Sequence, residues 1–256
     1  MGPAVSVVFR ELLRRELDER YRGSLLGTAW LLLLPLLQLA VLAWVFGQLL
    51  PARAQSGDLP YAAFLALGLW PWNLFANAAN RGVTALTDNA SLIGKVAVPH
   101  GLYVDVRVVA SVVIDLVGLV LVLGVLLAFG VGLSLSGLPA ALAALAVIAV
   151  FALALARLLA VLQVFLRDIA AVTGQVLMLG FFMTPILYDR SLLPATAANW
   201  LDINPLVAPV EAVRAALAGG VVDWAALGLS LVLAVALLLL ASAFLRRARS
   251  HLEDFL

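Results

Sequence analysis

The 256-residue chain contains no cysteine, only two histidines and a single lysine. The absence of cysteine excludes disulfides, thiolate zinc sites and a cysteine nucleophile. The two histidines, His100 and His251, argue against a histidine-based metal site and against a serine–histidine catalytic triad. We therefore expect no metal ion and no cofactor to be bound by this chain.

Charged residues are also scarce. They make up 12% of the chain, and hydrophobic residues make up 64%. A typical soluble domain has about 25% charged residues. Such an apolar chain cannot cover itself with polar surface. Lipid must therefore be its main solvent. The net charge of +1 provides no general attraction to nucleic acid. We therefore do not expect nucleic acid as a partner.

The single lysine, Lys95, follows Gly94 and so resembles the end of a nucleotide-binding phosphate loop. That motif requires glycine five residues before Gly94 and a serine or threonine after the lysine. The chain has Asn89 and Val96 at these positions, so it lacks the first tight-turn glycine and the hydroxyl for magnesium. The stretch does not predict a nucleotide site, and we do not expect the chain to be an enzyme.

Apolar runs predict an all-α membrane protein. A helix needs about 20 apolar residues to cross the hydrocarbon core. Six stretches of the chain meet this requirement and form one transmembrane domain over residues 29–256. The predicted spans are residues 29–50, 61–80, 106–133, 138–166, 169–188 and 224–245.

The distribution of positive charge predicts the orientation of these spans. With both termini in the cytoplasm, the inner segments hold twelve basic residues and the outer segments hold three. Positive residues collect on the cytoplasmic side of membrane proteins. In residues 1–28, apolar side chains recur every three or four positions from Phe9 to Tyr21, which predicts an amphipathic helix in the membrane interface. A solvated charged helix is the alternative.

The outer segment between the last two spans is apolar but interrupted. Pro205 and Pro209 break it too often for a single spanning helix, and Gly219-Gly220 provides a helix stop. We expect a re-entrant or periplasmic helical hairpin here.

Asp115 and Arg157 are charges inside otherwise apolar spans. Counting from Arg107 and Arg167 puts them about 12 and 15 Å deep, at 1.5 Å per residue, on neighbouring antiparallel helices. We expect a buried Asp115–Arg157 ion pair that pins the two helices, because an unpaired charge there would be costly. Contact with a transported polar molecule is the alternative.

Aromatic residues cluster within the second and fifth spans, where Pro71 and Pro185 loosen the helices. Prolines occur in spans that line a cavity, and aromatic faces suit the apolar faces of sugar rings. Packing and interface anchoring is the alternative explanation. The expected channel residues are Trp70, Trp72, Phe75, Phe181, Phe182 and Tyr188.

Several motifs follow one another along almost the whole chain: ERYRGSLLGTAW, WPWNLF, ASLIGKVAVP, FLRDIAAV, TPILY and NPL. In this order they resemble the membrane subunit of the ABC-2 type polysaccharide exporters, which move O antigens or teichoic acids. The chain departs from the common pattern at Gly94, Val98 and His100, where members often have a basic residue, phenylalanine and arginine.

The resemblance implies a homodimer in the bacterial inner membrane, bound to two copies of a cytoplasmic ATPase that carries the ATP and Mg. The dimer would export a lipid-linked polysaccharide, with O antigen as the expected glycan. Arg20, Tyr21 and Arg22 would lie near the lipid headgroup at a lateral gate. The residues expected to contact the ATPase are Asn89, Ser91, Lys95, Pro99, Arg167 and Asp168.

Other interpretations stay open. Lys95 could be basic only because it flanks a span. The glycan could be teichoic acid or capsule. A membrane-embedded transferase would need a catalytic cluster, and the loops show none in an obvious arrangement. An ion-coupled transporter could use Asp115, although the chain shows no internal inverted repeat.

Overall fold

The computed structural model describes residues 3–19, 27–49, 59–93, 95, 98–194 and 200–255, and these residues fold into helices joined by turns, with no strand among them. We number the helices in chain order. They are α1 (Pro3–Glu19), α2 (Trp30–Leu49), α3 (Tyr61–Val83), α4 (Ala85–Asp88), α5 (Gly101–Ala128), α6 (Leu138–Phe165), α7 (Ile169–Phe182), α8 (Val207–Leu217) and α9 (Trp224–Phe255). The all-helical class predicted from the sequence is confirmed for this part of the chain.

Helix α3 forms the centre of the bundle. Sixteen of its 23 residues are buried, and it packs against α2, α5, α6, α7 and α8. Asparagines and Arg81 make α3 less apolar than α2, α5, α6 and α7. A helix with polar residues can lie inside a membrane protein when its neighbours shield those residues from lipid.

Small residues allow the helices to approach closely. A side-chain carbon added to Gly82 of α3 would lie 2.3 Å from Cβ of Ala156 on α6. One added to Gly180 of α7 would lie 2.9 Å from the ring of Trp72. Close packing of small residues is the usual way in which helices associate in lipid, where the hydrophobic effect contributes little.

Three helical stretches of the described chain are long and apolar enough to cross a membrane: Gly101–Ala128, Leu135–Phe165 and Trp224–Leu252. Helices α2 and α7 contain shorter apolar stretches, Leu33–Leu42 and Ile169–Phe182. The multi-span architecture is therefore supported, whereas the count of six spans stays a prediction.

Several predicted boundaries shift. Helix α3 ends at Val83 rather than at residue 80, and α9 ends at Phe255 rather than at residue 245. Helix α5 covers Gly101–Ala128 rather than 106–133, and α7 ends at Phe182 rather than at residue 188. Gly130 has a φ of 77°, a left-handed conformation that ends α5 although apolar residues continue beyond it. Pro185 prevents α7 from continuing as a helix.

The bundle has two distinct ends. The arginine-rich end contains the last turns of α3, α6 and α9 and the first turns of α5 and α7. Here the rings of Phe165 and Phe255 meet edge to face with 5.2 Å between centroids. The opposite end contains α8, where the carbonyl of Leu217 accepts a hydrogen bond from the amide of Ser134, 2.8 Å away, in the turn between α5 and α6.

Candidate transport site and coupling surface

Four of the predicted channel aromatics form one cluster between α3 and α7. The ring centroid of Trp72 lies 5.6 Å from that of Phe75 and 6.3 Å from that of Phe181. Phe181 in turn contacts Phe182, with 5.2 Å between centroids. The hydroxyl of Tyr188 donates to the carbonyl of Phe182 over 3.1 Å, which brings the fifth aromatic next to the cluster.

Exposure changes along this cluster. Trp72 and Phe75 are buried, Phe181 is half-buried, and 58% of Phe182 is exposed on the surface of α7. The cluster therefore extends from the core to an exposed apolar face. Phe182 is accessible on this face, whereas Trp72 serves the packing of α3 against α7.

Trp70 lies apart from this cluster and contacts α5. A side-chain carbon added to Gly118 would lie 3.0 Å from Nε1 of Trp70, closer than an ordinary van der Waals contact, so glycine lets the indole pack tightly against α5. Trp70 lines a groove of about 510 Å³ between α2, α3 and α5. The predicted aromatic set is thus divided between two places.

Asp115 lines the same groove. Nδ2 of Asn77 donates to Oδ1 of Asp115 over 2.9 Å, and the hydroxyl of Ser111 lies 3.4 Å from Oδ2. Asp115 itself is buried. Sequence reasoning found Asp115 but did not identify Asn77, whose position seven residues after Trp70 on the same helix was the available signal.

The predicted Asp115–Arg157 ion pair is wrong. Arg157 makes a two-pronged contact with Asp105, in which Nε donates to Oδ1 over 2.8 Å and Nη2 donates to Oδ2 over 2.6 Å. Its remaining nitrogen, Nη1, donates to the hydroxyl of Ser242 on α9 over 2.7 Å. Arg157 therefore joins α5, α6 and α9.

The error came from the depth count. It began at Arg107, but α5 already starts at Gly101, so Asp105 lies within the helix rather than in the preceding loop. Asp105 and Asp115 are ten residues apart, which is about 15 Å along a helix. Arg157 meets the carboxylate nearer the arginine-rich end.

A charge network joins α1 to the arginine-rich end. Oε1 of Glu16 lies 2.8 Å from Nη2 of Arg81 on α3 and 3.1 Å from Nε of Arg107 on α5. Arg107 also pairs with Asp88 of α4 and donates to the hydroxyl of Thr84 over 3.0 Å. One carboxylate of α1 thus contacts α3 and α5, which lie before and after the predicted coupling segment, residues 89–99, that is expected to contact the ATPase.

Most of the predicted ATPase contacts are exposed at this end. In the segment between α4 and α5, Ser91, Lys95 and Pro99 are exposed. Asn89 instead turns inward and donates from Nδ2 to the carbonyl of Ala85 over 2.8 Å, so it caps α4. The contact of these four residues with an ATPase stays a prediction.

Arg167 and Asp168 are exposed in the turn between α6 and α7. Gln163 holds this turn from both sides: Nε2 donates to the carbonyl of Arg167 over 3.0 Å, and Oε1 accepts from the amide of Ala170 over 2.7 Å. The predicted gate residues Arg20, Tyr21 and Arg22 lie outside the described residues.

At the opposite end, Arg214 fastens α8 to the turn that follows α7. Nη1 and Nη2 donate to the carbonyls of Pro185 and Ile186 over 3.0 and 3.3 Å. The guanidinium carbon lies 3.8 Å from the ring centroid of Phe64. Burial lowers the pKa of Arg214 to about 10, and nearby Glu211 opposes this shift, so the side chain stays charged at neutral pH.

Glu211 lies one helical turn before Arg214 on α8. Burial raises the pKa of its carboxyl, and the positive charges of Arg190 and Arg214 counteract this effect. Neither Arg214 nor Glu211 was assigned a role from the sequence. A charged pair three residues apart in an apolar segment was the signal.

No group of three or more histidine, aspartate and glutamate side chains that could hold a metal ion occurs within the described ranges. Three of the carboxylates found there contact an arginine or an amide: Asp105, Asp115 and Glu16.

Comparisons with known proteins place the chain among relatives of known name. The chain is similar to the O-antigen export system permease protein RfbA of Myxococcus xanthus, with 32% identity over 211 residues, which cover 80% of this chain and 77% of the relative. A protein of the same name from Klebsiella pneumoniae is 26% identical over 213 residues, covering 83% and 81%. The polysialic acid transport protein KpsM of Escherichia coli is 31% identical over 86 residues, about a third of each chain (34% and 33%). The ABC-2 type transporter family matches residues 7–218, and the chain belongs to this family.

Proposed function

We propose that this chain is the permease subunit of an ATP-driven exporter that moves a lipid-linked polysaccharide, with O antigen as the expected glycan. The observation that carries the proposal is the similarity to two O-antigen export permeases over about four fifths of the chain (80% and 83%). Capsular polysaccharide is the second candidate, because part of the chain is similar to a polysialic acid transport protein.

In the proposed assembly, two copies of the chain enclose a channel and bind two copies of an ATPase in the cytoplasm. ATP hydrolysis belongs to that ATPase, because this chain has no complete phosphate loop. Both termini lie in the cytoplasm and the chain lies in the bacterial inner membrane, in keeping with its distribution of positive charge.

The exposed apolar faces suit a homodimer. On α2, Leu33, Leu37 and Trp44 are exposed, and on α7, Val176 and Phe182 are exposed. A channel between two such faces would bring Phe182 and its aromatic neighbours towards the polysaccharide. The exposed Lys95 and Arg167 lie at the arginine-rich end, where the ATPase would bind.

Copurification tests this proposal. The chain is expressed with the ATPase encoded beside its gene, and the mass of the complex and its ATP hydrolysis are measured. We expect two copies of each chain and hydrolysis that changes in Lys95→Glu and Arg167→Glu. Arg247→Glu is the matched control, because Arg247 is exposed near the end of α9, outside the predicted coupling segments. A chain that purifies without any ATPase would contradict the proposal.

A further inference from the structure

A cleft of about 400 Å³ lies at the end of the bundle opposite the arginine-rich end, between α8 and the first turns of α9. Small side chains leave this space, because Ala208, Ala212 and Ala215 line it from one face of α8 at intervals of four and three residues. On α9, the lining residues also recur at such intervals, from Ala226 to Leu233. We call this space the α8–α9 cleft.

Two polar side chains in the α8–α9 cleft have no hydrogen-bond partner among the described residues: Glu211 and Ser230. Ser230 is only 4% exposed. A serine inside a helix often donates to the carbonyl four residues before it, as Ser242 does on the same helix over 2.6 Å, but Ser230 makes no such bond. A nearly enclosed hydroxyl and a half-buried carboxylate are costly unless a group in the cleft bonds to them.

The charge of the cleft is negative. Its described lining contains the carboxylates of Asp202, Glu211 and Asp223 and one arginine, Arg190. Arg190 pairs with Asp202 over 2.6 Å, and Asp223 accepts hydrogen bonds from two amides at the start of α9 over 3.0 Å. Glu211 is therefore the carboxylate left for a ligand. Burial raises its pKa, and a positive ligand beside it would offset this cost of ionisation.

The lining limits what the ligand can be. An anion would meet three carboxylates and one arginine that already has a carboxylate partner. No group of three acidic or histidine side chains suited to a metal ion occurs in the described part of the chain, so these carboxylates do not converge on one ion. A primary ammonium supplies both positive charge for Glu211 and N–H donors for the carboxylate and the hydroxyl of Ser230.

The side of the cleft formed by α9 is apolar and open to the surroundings. Leu229 and Leu233 are 62% and 46% exposed. Trp224, at the start of α9, is exposed as well, and tryptophan is typical of the interface between lipid headgroups and acyl chains. A soluble amine would leave this apolar side uncovered, whereas the acyl chains of a phospholipid would cover it.

We propose that the α8–α9 cleft binds the primary ammonium of a phospholipid headgroup, as in phosphatidylethanolamine, through Glu211 and Ser230. The volume of about 400 Å³ is within the range of small-molecule sites, about 300–1,000 Å³. The ligand is a lipid of the surrounding membrane rather than the exported glycan, so this inference does not depend on the proposed function.

Competition between two lipids tests the inference. The full chain is purified in detergent and equilibrated with equal amounts of dioleoyl phosphatidylethanolamine and dioleoyl phosphatidylcholine, and native mass spectrometry counts the lipids that stay bound. Phosphatidylcholine carries the same charges, but methyl groups replace its N–H donors. We expect about tenfold more bound phosphatidylethanolamine, as the loss of one charged hydrogen bond would give. The N,N-dimethyl lipid, which keeps one N–H, should bind to an intermediate extent.

Variants of the cleft connect this preference to the two side chains. Glu211→Gln removes the charge and should reduce the preference below about twofold, and Ser230→Ala should reduce it to about threefold. Both variants remove a polar group that has no partner among the described residues, so we expect both to fold. Asp18→Asn on α1 and Ser250→Ala near the end of α9 are the matched controls, because both side chains are exposed and lie outside the cleft. They should keep the full preference.

Equal binding of the two lipids by the unaltered chain would overturn the inference, and so would an undiminished preference in both cleft variants. Glycerophosphoethanolamine, the headgroup without acyl chains, tests the source of the ammonium. If it displaces phosphatidylethanolamine at equal concentration, the cleft takes soluble amines and the assignment to a lipid is wrong. None of these results depends on the ATPase, so a failure here is distinguishable from a failure of the copurification.

Discussion

The two ends of the bundle both depend on arginine, but they use it in different ways. At the arginine-rich end, Arg81 and Arg107 share the carboxylate of Glu16, and these side chains keep partial contact with solvent. At the opposite end, Arg214 is enclosed and donates to two backbone carbonyls. Ion pairs near solvent contribute little individually and can exchange partners, whereas a buried arginine bonded to the backbone is fixed. The structure thus combines an adjustable end with a fastened one.

The largest effect is expected at the fastened end. Arg214→Ala leaves the carbonyls of Pro185 and Ile186 without their donors and removes the contact with the ring of Phe64. We expect a loss of about 3 kcal/mol of stability, because hydrogen bonds to a charged donor and a buried contact are lost together. Thermal unfolding of the detergent-solubilised chain measures it.

Arg190→Ala is the matched control for Arg214→Ala. Arg190 pairs with Asp202 over 2.6 Å, but both side chains are partly exposed. Its loss should change stability by less than about 1 kcal/mol. If the two variants unfold at the same temperature, Arg214 does not fasten this end.

A second, smaller effect concerns the arginine in the middle of the bundle. Asp105→Asn removes the charge that Arg157 faces over 2.6 Å, and the arginine is left uncompensated between α5, α6 and α9. We expect a loss of about 2 kcal/mol, reduced from the value for a fully buried pair because both side chains are partly exposed. Asp115→Asn should cost less, because its bond to Asn77 survives. If Asp115→Asn lowered the unfolding temperature more than Asp105→Asn does, the result would favour the Asp115–Arg157 pair instead.

The adjustable end should respond less in global stability and more in local opening. Glu16→Lys places a third positive charge beside Arg81 and Arg107 and should detach α1 from α5. We expect faster amide hydrogen exchange in residues 3–19, because the free energy that holds α1 against the bundle falls by about 1 kcal/mol. Glu11→Lys is the control, because Glu11 is exposed on the other face of α1. Unchanged exchange in Glu16→Lys would show that apolar contacts alone hold α1.

The sequence predicted helix bounds well where residues that start or stop a helix were taken into account, and poorly where hydropathy alone was used. The bounds of α6 were predicted within one residue, because Gly137 and Pro139 mark its start. Helix α5 was misplaced because hydropathy continues past Gly130, while the left-handed glycine ends the helix there. Treating Gly130 as a C-terminal helix stop would have predicted this end of α5.

The contacts of the site were harder to predict than the helices. The sequence placed Arg157 in a span but could not tell whether it faced Asp105 or Asp115, because both lie on α5 and the choice depends on helix depth and rotation. Nothing in the sequence paired Glu16 with Arg81, yet Oε1 of Glu16 lies 2.8 Å from Nη2 of Arg81, which is 65 positions away in the chain. Such a pair depends on tertiary packing, which local periodicity does not encode.

The smallest predicted effect is a pH dependence at the fastened end. Burial raises the pKa of Glu211 above its ordinary value of 4.5. The folded chain therefore holds this proton more tightly than the unfolded chain does. The stability gained from the proton is complete below pH 4.5 and is lost as the pH rises through the folded pKa.

Glu211→Gln removes this titration. We expect its unfolding temperature to match that of the unaltered chain near pH 4 and to exceed it by about 2 °C at pH 7, where the unaltered chain buries a charge. Arg190→Ala should make stability depend more strongly on pH than it does in the unaltered chain. The reason is that Arg190 lowers the pKa of Glu211, and this effect is lost in the variant. Equal stability of the Gln variant and the unaltered chain at both pH values would mean that Glu211 ionises without cost, and α8 would then be a wetter and less firmly fastened helix than the contacts of Arg214 indicate.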